Sequence, residues 1–124
     1  MIAIGTDLVE VARIEEVWRR HGERFVSRIL TSEEQQRCAS MQQPWRFLAR
    51  RWAAKEAIAK ALGCGIGVQL SWQDLRIVAT GAGAPEVLLS DRAQLLATER
   101  GGSRVLLSIS DEREYALAFA ALVA

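Results

Sequence analysis

Glu56 and Lys60 place a carboxylate and an ammonium one helical turn apart, in a segment from about Pro44 to Leu62 whose pattern predicts a helix. On a helical wheel Trp45, Ala49, Trp52, Ala53 and Ala59 share their broad side, so the two charges stand among apolar neighbours. One reading is an i,i+4 ion pair at the solvent boundary, worth a few tenths of a kcal/mol at most. The other is a site: a carboxylate that ligates a hard cation, with an ammonium that contacts an anionic substrate or protonates its leaving group. Phe47, Ala54, Ile58 and Ala61 occupy the opposite side, so the helix is packed from more than one direction and its charges need partners. Asp7 offers a second carboxylate, and two oxygen ligands plus substrate phosphates make a common magnesium site. Asp7 serves equally well as the N-cap of a following helix, and the two roles are compatible.

The elements that must position these residues follow from local patterns. Met1 to Thr6 reads as an apolar strand ending at Gly5-Thr6-Asp7, which sets Asp7 at a strand-to-helix junction. Val9, Val11, Ile14, Val17 and Trp18 then recur at mostly helical spacing. Thr31 or Ser32 caps a short helix reaching about Met41, with Glu33 and Glu34 in its first turn. Pro44 suits the first turn of the long helix, and Gly63 and Gly65 stop it. Asp74 to Thr80 and Glu86 to Ser90 read as a hairpin around Gly81 to Pro85. Ser90 or Asp91 caps a helix to Arg100, and Val105 to Ser110 and Tyr115 to Val123 are two strands joined through Asp111 to Glu114. The order predicts one α+β unit, an antiparallel sheet packed against a long central helix.

At 124 residues, 50% apolar and 25% charged, the chain has the balance of one globular domain. Its 16 basic and 15 acidic side chains nearly cancel, which argues against nucleic acid as a partner. The only cysteines, Cys38 and Cys64, are too few for a structural zinc cluster and read as free thiols. Neither a signal peptide nor a membrane-length apolar run is present, so a cytoplasmic location is expected. His21, the single histidine, has no nucleophile near it in sequence and reads as a helix-end surface residue.

Two segments, Ile4-Gly5-Thr6-Asp7-Leu8-Val9-Glu10 and Trp52-Ala53-Ala54-Lys55-Glu56-Ala57-Ile58-Ala59-Lys60-Ala61, together resemble the two signatures of bacterial holo-[acyl-carrier-protein] synthases. Arg28-Ile29-Leu30-Thr31, Arg46-Phe47-Leu48-Ala49, Gly83-Ala84-Pro85 and Ser108-Ile109-Ser110 extend the resemblance over essentially the whole chain. It implies the 4′-phosphopantetheinyl transferase fold over residues 1–124 as a single domain, in a homotrimer with coenzyme A held between protomers. It also implies transfer of phosphopantetheine from coenzyme A to a serine of apo acyl carrier protein, in fatty acid biosynthesis. By that resemblance Asp7 and Glu56 hold Mg2+, and Lys60 meets the phosphates and protonates the departing nucleotide. Arg46, Arg50 and Lys55 are further candidates for coenzyme contacts, as are Gly63, Gly65 and Pro85. Arg13, Arg19, Arg20 and Arg24, with Phe25, resemble the surface that docks the acidic carrier, although interspersed Glu10, Glu15, Glu16 and Glu23 equally suit a solvated helix face.

For the serine proton, Glu56, Asp7 and a water on the metal are alternatives. The chain departs from the family at Asp111, where many members have histidine, and there Arg113 can compensate. It departs again at Cys64, where threonine is common. The same residues would also serve a magnesium-dependent nucleotide or phosphodiester hydrolase, or an inactive coenzyme A-binding trimer.

Overall fold

The computed structural model describes residues 1–81 and 83–124. In chain order it runs β1 (Ala3–Glu10), α1 (Val11–His21), α2 (Glu23–Ile29), α3 (Ser32–Ala39), α4 (Pro44–Ala61), a 3-10 turn at Trp72–Asp74, β2 (Leu75–Ala79), β3 (Pro85–Leu89), α5 (Asp91–Glu99), β4 (Arg104–Asp111) and β5 (Tyr115–Val123). Strands β1, β5 and β4 form an antiparallel sheet in that spatial order, and β2 pairs with β3 in a separate hairpin. The hairpin matches the pattern in the sequence; the connection proposed at Gly81 to Pro85 includes Ala82, which lies outside the described residues.

Helix α4 crosses the inner face of the three-stranded sheet. Small residues dominate both sides of that contact: Ala53, Ala57 and Ala61 on the helix and Ala116, Ala118 and Ala120 on β5 are fully buried. Their size brings the backbones close, and Phe47, Leu48, Ile58, Leu75 and Leu122 fill the rest of one continuous core. The fold is α+β, an antiparallel sheet against a long central helix.

Two boundaries matter for the site, and the first differs from the sequence pattern. Strand β1 continues to Glu10, so Asp7 lies inside a strand and Glu10 occupies the N-cap position of α1. The N-cap role for Asp7 is thereby excluded. The first helix also breaks at Gly22, whose φ of 53° lies in the left-handed region open to glycine, and α2 leaves in a new direction.

Outward from the sheet, Ile4, Leu8, Leu106, Tyr115, Leu117 and Phe119 are each 40–61% exposed. The register pairs Thr6 with Phe119 and Leu8 with Leu117, and residues directly opposite share a face, so these side chains form one apolar surface.

Candidate functional site

Alternation along β1 turns Gly5, Asp7 and Val9 toward α4 and leaves Ile4 and Leu8 outside. Gly5 determines how near the strand can come: a Cβ there would collide with the Ala57 carbonyl oxygen and lie 2.7 Å from the Ala61 nitrogen and 2.9 Å from the Lys60 Cβ. Two residues further along, Asp7 therefore reaches the face of α4 that carries Glu56 and Lys60. The Lys60 ammonium donates to the Thr6 carbonyl at 2.8 Å and to Asp7 Oδ1 at 3.2 Å. Asp7 Oδ2 is buried and has no hydrogen-bond partner.

Burial pushes the Asp7 carboxyl above its ordinary range, with the hydrogen bond and charge of Lys60 opposing. Glu56 is pushed the same way, first by burial and then by the charge of Asp7, again against Lys60. Two half-buried carboxylates, both raised by burial and Glu56 further by the charge of Asp7, one with an orphaned oxygen, form a donor set that suits a hard divalent cation. Among the described residues no three His, Cys, Asp or Glu side chains converge. The cleft thus offers two carboxylates, the number magnesium commonly takes when phosphates and waters complete its shell.

The other sequence-predicted residues divide sharply. Arg46 donates to the carbonyls of Glu112 and Arg113 at 3.3 and 2.9 Å, and Arg50 meets Asp111 at 3.5 Å. Both guanidinium groups thus hold the β4–β5 turn onto α4. Lys55 is completely buried and paired with Glu34 at 2.7 Å, so it is a core residue with no access to a coenzyme phosphate; that expectation is corrected. Gly63 and Gly65 adopt φ of 83° and 67°, and their N–H groups return to the Lys60 and Ala59 carbonyls at 3.0 and 3.4 Å. They close the end of α4, and their N–H groups are not directed at an anion. Pro85 opens β3, where its missing N–H suits the first residue of a strand.

Of the basic residues on the first helices, Arg13, Arg20 and Arg24 are exposed, and Arg20 reaches Glu16 at 3.4 Å. Arg19 is held by Glu15 at 2.7 Å and lies over the rings of Trp18 and Trp45 at 5.6 and 5.1 Å. Phe25 is only 8% exposed, packed 6.1 Å from the Trp52 ring, so it forms a wall and not a protruding contact. That wall belongs to a cavity of about 480 Å3 between α1, α2 and α4. Trp52 and Trp72, with ring centroids 4.7 Å apart, line it with Phe25, and His21, Arg24 and Arg28 add polar and cationic groups. Trp52 stands one turn before Glu56 on α4, which sets the cavity beside the carboxylate cleft. The cavity went unseen in the sequence because Trp72 comes from a turn 20 residues beyond Trp52, and only folding joins them.

Comparison with known proteins gives a consistent result. The family model of the 4′-phosphopantetheinyl transferase superfamily matches residues 3–120. A holo-[acyl-carrier-protein] synthase of Chlamydia caviae is 46% identical over 117 residues, covering 94% of this chain and 93% of the relative. One of Nitrosococcus oceani is 47% identical over 124 residues, or 100% of this chain and 80% of the relative. Among solved structures, the synthase of Neisseria meningitidis superposes with a TM-score of 0.89 at 41% identity, covering 97% of each chain. The Helicobacter pylori synthase in complex with coenzyme A gives 0.84 at 32% identity, covering 96% of this chain and 98% of that one.

Proposed function

Because the chain belongs to the 4′-phosphopantetheinyl transferase superfamily, we infer that it acts as a holo-[acyl-carrier-protein] synthase, moving phosphopantetheine from coenzyme A to a serine of apo acyl carrier protein. The observation that carries the residue assignment is the convergence of Asp7, Glu56 and Lys60, with Asp7 Oδ2 buried and unpartnered.

In this reading the carrier serine oxygen attacks the β-phosphorus of coenzyme A. The new serine–phosphorus ester forms as the pyrophosphate bridge breaks, and adenosine 3′,5′-bisphosphate leaves. Asp7 and Glu56 would hold Mg2+, which supplies positive charge against the pyrophosphate when bound. Glu56 takes the serine proton, because Asp7 is engaged by Lys60. Lys60 is half exposed at the mouth of the cleft, so its ammonium can turn from Thr6 and Asp7 to the leaving phosphate and neutralise or protonate it. No covalent enzyme intermediate is required.

The aromatic cavity with Arg24 and Arg28, flanked by Arg13, Arg19 and Arg20, receives the acidic carrier. Complementary charge steers the encounter, and the cavity lies beside Glu56, where the serine must arrive. A second copy of the chain covers the outer sheet face: a contiguous apolar surface between two strand edges is unfavourable in water, and a homotrimer with sites between protomers buries it. Coenzyme contacts by Arg46, Arg50 and Pro85 then depend on groups a neighbouring protomer adds, with Arg113 at the exposed turn taking the place of the family histidine. Residues 1–124 act as one domain, in the setting of cytoplasmic fatty acid biosynthesis.

The decisive assay is mass spectrometry of apo acyl carrier protein incubated with the chain, coenzyme A and Mg2+, alongside chelator and Glu56→Gln controls. A gain of one phosphopantetheine is expected, abolished by chelator and slowed to a small residual rate by Glu56→Gln. Cleaved coenzyme with unmodified carrier would identify a hydrolase, and intact coenzyme bound to an idle protein would identify a binding module.

A further inference from the structure

Beneath the aromatic cavity lies a polar knot that the chemistry above does not use. The Lys55 ammonium is wholly enclosed and spends its three hydrogens on the Ile29 carbonyl at 2.7 Å, Glu34 Oε1 at 2.7 Å and the Trp72 carbonyl at 3.1 Å. Glu34, 2% exposed, also accepts from the Thr31 N–H at 2.8 Å and from the Ile77 N–H at 2.9 Å, and Arg51 Nε stands 4.0 Å from Oε2. One buried pair thus fastens the end of α2, the start of α3, the 3-10 turn and β2 to helix α4.

Two of those attachments, Ile29 and Trp72, are walls of the cavity, and Lys55 is the residue immediately before Glu56. We propose that Glu34 and Lys55 are positioning residues for transfer: they fix the carrier-receiving cavity and the Glu56 carboxylate to a single anchor, so that a docked serine arrives where Glu56 can take its proton. This rests on the transferase reading. Neighbouring helix residues point about 100° apart, so a rotation of α4 that releases Lys55 from Ile29 and Trp72 also turns Glu56 away from Asp7. Removing the pair would also orphan the Ile29 and Trp72 carbonyls and the Thr31 and Ile77 N–H groups, so its effect on stability is measured separately from its effect on transfer. An ammonium with three fixed acceptors defines one rotation and one height of the helix, which a greasy side chain does not.

The test compares wild type, the near-isosteric Glu34→Gln, Lys55→Met and the apolar double variant Glu34→Leu/Lys55→Met, all assayed well below their melting temperatures. Coenzyme A affinity without Mg2+ is measured by calorimetry, and kcat and carrier KM by transfer. We expect folded variants to bind metal-free coenzyme A within about twofold of wild type while kcat/KM for the carrier falls about tenfold or more. In a Glu56→Gln background, Lys55→Met should cost less than about twofold further, since its effect passes through Glu56. If Lys55→Met does not fold, Glu34→Gln and the double variant decide. A double variant that transfers at the wild-type rate overturns the proposal, as does a full independent loss in the Glu56→Gln background. Failure of the wild type to modify carrier would instead count against the transferase reading, since the proposal concerns only the ratio of variant to wild type.

Discussion

Gly5→Ala replaces one hydrogen with a methyl group and should damage both the stability and the activity of this protein. The new Cβ would strike backbone atoms of α4, the Ala57 carbonyl and the Ala61 nitrogen, which unlike side chains cannot swing aside. Overpacking in a core costs about 1–3 kcal/mol, and a clash with helix backbone belongs at the upper end. Unfolding entropy of about 2.1 cal/mol/K per residue then converts roughly 3 kcal/mol in a chain of 124 residues into a Tm loss of about 10–12 °C. To relieve the contact, β1 must lift from α4. The Lys60 links to Thr6 and Asp7, now 2.8 and 3.2 Å, would stretch beyond hydrogen-bond reach. A displacement of about 1 Å at a reacting centre costs on the order of 100-fold in rate. The assay is paired thermal melts and carrier modification at matched protein concentration, with Gly67→Ala as control, since a Cβ at Gly67 meets nothing within 4 Å. If Gly5→Ala melts and turns over like Gly67→Ala, the close approach of β1 and α4 does not govern the site.

Proton linkage at the carboxylate pair gives another prediction. Asp7 and Glu56 have raised folded-state pKa values, so their contribution to stability is complete below the ordinary carboxylate range and is lost as pH rises through the raised values. Asp74 and Glu33, lowered in the fold, act in the opposite sense, so the pair is isolated by comparison with Asp7→Asn. Mg2+ should raise the Tm of the wild type more at about pH 8 than at about pH 5, and Asp7→Asn should erase most of that gain; an equal gain at both values, or one that survives the substitution, would refute the assignment. For the carrier surface, Arg13→Glu with Arg20→Glu should raise carrier KM about tenfold at low salt, and less at high salt, with coenzyme A affinity kept within about twofold. Parallel loss of both would point instead to misfolding or a shared site.

Much of the site could be read from local chemistry. Pro44 opens α4, the glycines after Leu62 end it, and one helical turn separates Glu56 from Lys60, so the helix of the candidate site is written in its own residues. Strand β1 was harder to delimit because Leu8 and Ile4 face outward yet are apolar, which blurs the alternation that marks a strand with one wet face. A helical pattern then claimed Val9, which belongs to β1. Lys55 was misread because its burial depends on Glu34, 21 residues earlier, and on carbonyls at Ile29 and Trp72, none of which a helical wheel contains. Likewise Arg46 and Arg50 resemble free phosphate ligands until the β4–β5 turn arrives from 61 to 67 residues away to occupy them.

The pairing of β1 with β5 also bears on how the protein is made. Thr6 donates its hydroxyl proton to a carbonyl 112 residues later, at Ala118, and among the described residues β1 has no strand but β5 beside it. On the ribosome, Asp7 emerges early and must wait without its strand partner until β5 follows it out of the exit tunnel. Helix α4 can form in the meantime from local contacts, but the cleft cannot close on it, because loop closure over such a span comes late in folding. The cleft is therefore completed only once β5 is available. A chain cut short within β5 would carry Asp7, Glu56 and Lys60 and still lack the sheet that brings them together.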